Sequence, residues 1–104
     1  MRVMIVEDQT MIRSLLESYF HAEDGYQITA SIPGAKQAVE ICQTSSFDLI
    51  LMDVQTENRE NGLTAVRQIK AIQPKSKIII VTSLIDCAVL DEAKKAGADS
   101  LWYK

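Results

Sequence analysis

Basic runs are missing from this chain of 104 residues. Eleven Lys and Arg against 14 Asp and Glu give a formal net charge of −3, with both signs scattered along the chain. A stretch without a basic patch is a poor partner for nucleic acid or for an anionic membrane surface. Long apolar runs are missing too, and a membrane-spanning helix needs roughly 20 consecutive apolar residues. The opening RVMIV reads as a strand and carries no signal-peptide pattern. Cysteine is scarce: Cys42 and Cys87 sit in separate helical stretches without CxxC or zinc spacing. They are expected to be reduced thiols in a cytoplasmic protein. No G-x-G-x-x-G follows the first strand, which argues against a dinucleotide site. Repeats, linkers and low-complexity segments are absent. What remains is 47% apolar residues, enough for one domain with a small core.

Those apolar residues fall in short runs that alternate with longer helical patterns. Residues 3–6 read as a strand. Met11, Leu15, Leu16, Tyr19 and Phe20 recur at helical spacing over roughly residues 10–21. A Glu23-Asp24-Gly25 turn leads to a strand over 26–32, ended by Pro33-Gly34. A short helix over 35–43 precedes a strand over 47–52. Leu63, Val66, Ile69 and Ile72 mark a third helix, stopped before Pro74. A strand over 77–81 follows, then a helix through Ala88, Leu90, Ala93 and Ala96 with Gly97 as its C-cap. Residues 99–103 form the last strand. This strict alternation, with near-continuous apolar strands, predicts an α/β fold. The expected form is a doubly wound, flavodoxin-like, five-stranded parallel sheet of order 2-1-3-4-5.

In such a sheet all C-terminal strand ends meet along one edge, where ligands bind. Strand one ends in Glu7-Asp8, strand three in Asp53, strand four in Thr82-Ser83 and strand five in Lys104. The predicted order makes these ends neighbours. A carboxylate at the edge of a core is costly unless something pairs with it. Three of them close together repel and call for a cation. Hard oxygen ligands with room for water suit Mg²⁺. Thr82 offers a hydroxyl donor and Lys104 a positive charge, which suit an anion with several oxygens. An acid, a divalent cation, a lysine and a hydroxyl are the parts for phosphoryl transfer onto a carboxylate, with Asp53 as nucleophile. Simpler roles compete. Asp8 is a candidate N-cap of the first helix. Thr82 and Ser83 are candidate caps of the fourth, although Asp86 is better placed. Lys104 is a candidate solvated terminal residue. His21 suits the dipole at the end of the first helix.

The blocks VMIVEDQTMIRSLLESYF, FDLILMDV, NGLTAVRQIK, KIIIVTS and AKKAGADSLWYK occur in this order. Together they make the chain resemble, over essentially its whole length, the receiver domain of bacterial two-component response regulators. VMIVEDQTMIR and AGADSLWYK are most similar to the branch whose output is a helix-turn-helix DNA-binding domain. The resemblance implies that Asp53 accepts a phosphoryl group from the phosphohistidine of a sensor histidine kinase. It implies Mg²⁺ held by Asp8, Asp53 and the backbone carbonyl of Gln55, with Glu7 helping through water. Thr82 and Lys104 would contact the phosphoryl oxygens, Thr82 moving inward as a switch. The protein would catalyse only its own phosphorylation and dephosphorylation. It would meet DNA only through a domain outside this chain, and it would control transcription from the cytoplasm.

The chain also departs from that family's pattern. The loop VQTENRENG has no Met-Pro, and Gly62 arrives one residue late, so the loop is expected to be longer, more charged and mobile. The aromatic usually found three positions before the lysine is Leu101 here, while Trp102 and Tyr103 follow. In a strand Leu101 and Tyr103 share a face and Trp102 takes the other, which leaves Tyr103 as a substitute. Lys104 stands where the family's fifth helix would begin, so 1–104 is expected to be a receiver domain shortened before that helix. One sheet face beside the first helix should then lack cover, with Trp102 exposed. An intermolecular contact over it, as in a homodimer, is expected. These departures favour an alternative, a receiver-like interaction module with weak or no phosphorylation. A Mg²⁺ phosphatase working through a phospho-aspartate is opposed by Gln55, which stands where such enzymes place a second Asp.

Overall fold

The structure, a computed structural model, describes all residues except 57–58, 83–86 and 104; the side chains at 87 and 103 also lie outside the description. Strands and helices alternate: β1 (Arg2–Val6), α1 (Thr10–Ala22), β2 (Gln27–Ile32), α2 (Ala35–Cys42), β3 (Leu49–Met52), α3 (Gly62–Ile72), β4 (Lys77–Thr82), α4 (Cys87–Ala96) and β5 (Ser100–Tyr103). The strands form one parallel sheet of order β2-β1-β3-β4-β5, as the alternation predicts. No helix among the described residues is long and apolar enough to cross a membrane.

Successive side chains of a strand point to opposite faces, so the continuous apolar strands feed two cores. Met4, Val6, Ile50, Met52, Ile78 and Ile80 pack with residues of α2, α3 and α4, among them Ala38, Val66, Ile69 and Ala93. Val3, Ile5, Leu51 and Val81 pack on the other face with Phe20 of α1. That second face is the less covered one. A hollow of about 430 Å³ opens on it, lined by Tyr19, Tyr26, Leu49, Ile79 and Trp102 among others. Trp102 is 39% exposed, in keeping with the expectation for it.

The predicted third and fifth strands begin one or two residues too early, because the residues there serve other partners. The Phe47 N–H goes to Gln73 Oε1 at 3.1 Å and its carbonyl accepts the Ser76 hydroxyl at 2.6 Å. The Asp99 carboxylate accepts the Ile78 N–H and the Lys70 ammonium, both at 2.9 Å. Gly97 ends α4 as expected. Its φ of 101° is the left-handed conformation. The Gly97 N–H reaches the Lys94 carbonyl at 3.1 Å and the Ala98 N–H the Ala93 carbonyl at 3.0 Å, the paired bonds of a Schellman ending. Cys42 is buried and free, and burial pushes its thiol up to about 11. That keeps it protonated and unreactive.

Partial burial alone would raise the Asp99 carboxyl, but the Ile78 N–H, Lys70 and the charge of Lys77 outweigh it and hold the group below its ordinary value. A carboxylate depressed in the folded state stabilises above its unfolded value and loses that contribution as pH falls through the folded one. Asp99→Asn is therefore expected to lower the melting temperature at neutral pH and to converge with the wild type below about pH 4. Thermal melts across pH check this; a constant gap down to strong acid would contradict it.

Candidate functional site

Carboxylates collect where β1 and β3 end. The ladder runs one residue past each strand. The Glu7 N–H reaches the Ile32 carbonyl at 3.0 Å and the Asp53 N–H the Val6 carbonyl at 3.1 Å. These rungs hold both main chains rigidly at the C-terminal edge. Glu7 is 1% exposed and Asp53 7%, while Asp8 is open to solvent. One carboxylate oxygen from each of the three lies within 4.8 Å of the others.

Local bonds fix the orientation. Glu7 Oε2 accepts the Gln9 N–H at 3.1 Å, and the Glu7 carbonyl accepts Nη1 of Arg13, on α1, at 2.9 Å. Asp53 Oδ1 accepts the Val54 N–H at 2.8 Å. The N-cap of α1 is Gln9, whose own side chain makes no cap bond. The capping role for Asp8 is thereby set aside, and its carboxylate belongs to the cluster. A six-coordinate ion with oxygens at about 2.1 Å holds those oxygens roughly 3–4 Å apart. Three oxygens within 4.8 Å, one residue open to water, fit such an ion.

Thr82 ends β4 and is 1% exposed. Ile80 pairs with Met52, and Thr82 lies two residues further along, paired with Tyr103. The hydroxyl residue thus stands on the strand beside Asp53, at the same edge. Leu101 packs against the core shared with α2, α3 and α4. Ser83, Asp86 and Lys104 lie outside the described residues, as do the Cys87 and Tyr103 side chains.

The β3–α3 loop, described apart from residues 57–58, is bridged at its base. Gln55 and Asn61 form an antiparallel bridge. The Gly62 N–H meets the Val54 carbonyl at 2.6 Å and the Thr56 N–H the Glu60 carbonyl at 2.9 Å. These two bonds flank Gln55, so the bridge does not use Gln55's own carbonyl. Arg59 takes a φ of 59° inside the loop. Gly62, one residue late in sequence, still reaches the site: a Cβ built there would lie 1.8 Å from the Asp53 carbonyl oxygen. Asn61 then caps α3, its side chain accepting the Leu63 and Thr64 N–H groups at 2.8 and 3.2 Å.

Sequence reasoning missed Thr56 and Glu60. Thr56 Oγ1 accepts the Ala35 N–H at 2.8 Å and Glu60 Oε1 the Lys36 N–H at 3.1 Å. The signal was negative. The N-cap of α2 is Gly34, which has no side chain with which to satisfy the helix's first donors, so they must find partners elsewhere.

Residues 3–104 match the family model of the response regulator receiver domain. The chain is 33% identical over 103 residues to the chemotaxis protein CheY of Thermotoga maritima, covering 99% of this chain and 84% of that one. It is 31% identical to the response regulator protein VraR of Staphylococcus aureus, again over 99% of this chain but spanning only 49% of that protein. In structure it is similar to a two-component response regulator of the LuxR family from Aurantimonas sp. SI85-9A1, with a TM-score of 0.90, 25% identity, and coverage of 99% of this chain and 73% of that one. A sheet of order 2-1-3-4-5, an acidic cluster at its C-terminal edge and a family match over nearly every residue make this chain a member of the response regulator receiver domain family.

Proposed function

We propose that this receiver domain accepts a phosphoryl group on Asp53 from the phosphohistidine of a sensor histidine kinase, and that the modified domain controls an output domain, one that regulates transcription. The observation that carries the reading is the convergence of Glu7, Asp8 and Asp53 within 4.8 Å at the sheet edge. Asp53 is buried just past the end of the central strand, β3, and its Oδ1 is oriented by the Val54 N–H. In the transfer, an Asp53 carboxylate oxygen bonds to phosphorus as the phosphorus–nitrogen bond breaks. The imidazole leaves with the electron pair and takes up a proton. Asp8, Asp53 and the Gln55 carbonyl would hold Mg²⁺, with Glu7 acting through water. The ion, when bound, offsets the negative charge of the carboxylates and phosphoryl oxygens. Thr82 would donate to a phosphoryl oxygen and Lys104 would pair with another. The reading implies a cytoplasmic protein.

Intact mass after incubation with acetyl phosphate tests it. One phosphoryl adduct is expected on the wild type with Mg²⁺, and none on Asp53→Ala or in the presence of EDTA. A folded wild type that takes no adduct with Mg²⁺ would instead favour a receiver-like interaction module.

A further inference from the structure

Thr56 is buried to 2% exposure although it is polar and lies in a surface loop. It sits next to Gln55 and makes bonds in two directions. Inward, its Oγ1 accepts the Ala35 N–H at 2.8 Å, the first donor of α2. Across the loop, its N–H and its hydroxyl both donate to the Glu60 carbonyl, at 2.9 and 3.3 Å. Glu60 repeats the pattern on the second donor of α2, through the Lys36 N–H at 3.1 Å. The loop is therefore fastened to the N-terminus of α2 at both flanks of its tip. Gly34 gives that helix end no side-chain cap of its own, so the fastening satisfies donors that would otherwise be orphaned.

The fastening acts on one neighbour above all. Gln55 is the residue between Val54 and Thr56, and both of these are held by the bonds of the bridge. With Val54 and Thr56 fixed, the Gln55 peptide has little freedom to rotate. Its carbonyl is the one backbone oxygen assigned to Mg²⁺ in the proposed site. A backbone carbonyl is a useful ligand only when the chain on either side is fixed, because a free loop must lose entropy each time it binds.

We propose that Thr56 is a positioning residue for the Mg²⁺ site: by tying the loop to the N-terminus of α2 it holds the Gln55 carbonyl in the orientation the ion requires. The inference rests on the proposed function, and the test separates the two. Mg²⁺ affinity is measured by NMR titration of the backbone amides, residue by residue, on the wild type, Thr56→Val, Thr56→Ser and Ser76→Ala. Thr56→Val keeps the side-chain volume and loses the hydroxyl. It is expected to bind Mg²⁺ about tenfold more weakly, the usual effect of removing a residue that orients a ligand. Thr56→Ser keeps the hydroxyl and is expected to stay within about twofold of the wild type. Ser76→Ala removes a buried hydroxyl at the opposite sheet edge, bonded to Phe47. It should lower stability while leaving Mg²⁺ affinity unchanged. Wild-type affinity in folded Thr56→Val, or an equal loss in Ser76→Ala, would overturn the positioning role alone. Absence of Mg²⁺ shifts at Glu7, Asp8 and Asp53 in the wild type would overturn the site and the positioning role together.

Discussion

Gly62→Ala is expected to slow phosphorylation by acetyl phosphate at least tenfold and to cost about 2–3 kcal/mol of stability, the range for forcing a methyl group into a packed site. The added Cβ would stand 1.8 Å from the Asp53 carbonyl oxygen, 2.9 Å from its carbon and 3.0 Å from Met52 Cγ. Two of these three atoms are backbone, so no side chain can swing aside. Either the start of α3 moves out or the end of β3 moves down. The first breaks the 2.6 Å bond from the Gly62 N–H to Val54. The second displaces Asp53, the proposed phosphoacceptor. A control separates this clash from a general glycine effect. Gly25 has a φ of 88° but nothing within 4 Å of a built Cβ. Gly25→Ala should therefore strain the turn and lower the melting temperature while leaving the phosphorylation rate of the folded protein unchanged. Chemical denaturation and initial rates of adduct formation check both variants. A Gly62→Ala protein that phosphorylates at the wild-type rate would show that the close approach is not needed.

Gln73→Met should lose about 3 kcal/mol with little effect on phosphorylation of the folded chain, because each unmatched polar group costs roughly 1–3 kcal/mol when shielded from water. The amide of Gln73 joins three segments at the edge of the sheet opposite the acidic cluster. Its Nε2 donates to the Cys42 carbonyl at 2.8 Å and the Ser45 carbonyl at 2.5 Å. Its Oε1 accepts the Phe47 N–H at 3.1 Å and the Ser76 hydroxyl at 2.8 Å. One side chain thus ties the α2–β3 connection to the end of α3. Met keeps the length and loses every bond. The melting temperature should fall by roughly 4–8 °C for each kcal/mol. Urea denaturation measures the loss directly, and a change under 0.5 kcal/mol, taken as a rough threshold for an ordinary surface substitution, would contradict the role given to Gln73.

The acidic cluster was legible in the sequence because period and order are enough to place it. Apolar runs such as Leu49–Met52 announce buried parallel strands, and alternation with helices fixes their direction. The acids at 7, 8 and 53 then fall on one edge with no knowledge of side-chain geometry. Thr82 was legible for the same reason. Bonds that join segments distant in sequence were not. Nothing near Thr56 in the sequence says that it caps a helix 21 residues earlier, and nothing beside Gln73 says that it holds a carbonyl 31 residues away. In the loop after Asp53, counting residues shows an insertion but not the bridge between Gln55 and Asn61. The capping role open to Asp8 could be settled only by seeing where α1 begins.

The central claim is that the carboxylate of Asp53 is the atom group that takes the phosphoryl. The most direct measurement is to phosphorylate the folded domain with acetyl phosphate and Mg²⁺, reduce the acyl phosphate with borohydride, and map the peptides by mass. Homoserine at position 53, with Glu7, Asp8 and the hydroxyl residues unchanged, is the expected result. An unmodified Asp53 peptide, with the label on another acid or on a serine or threonine, would contradict it.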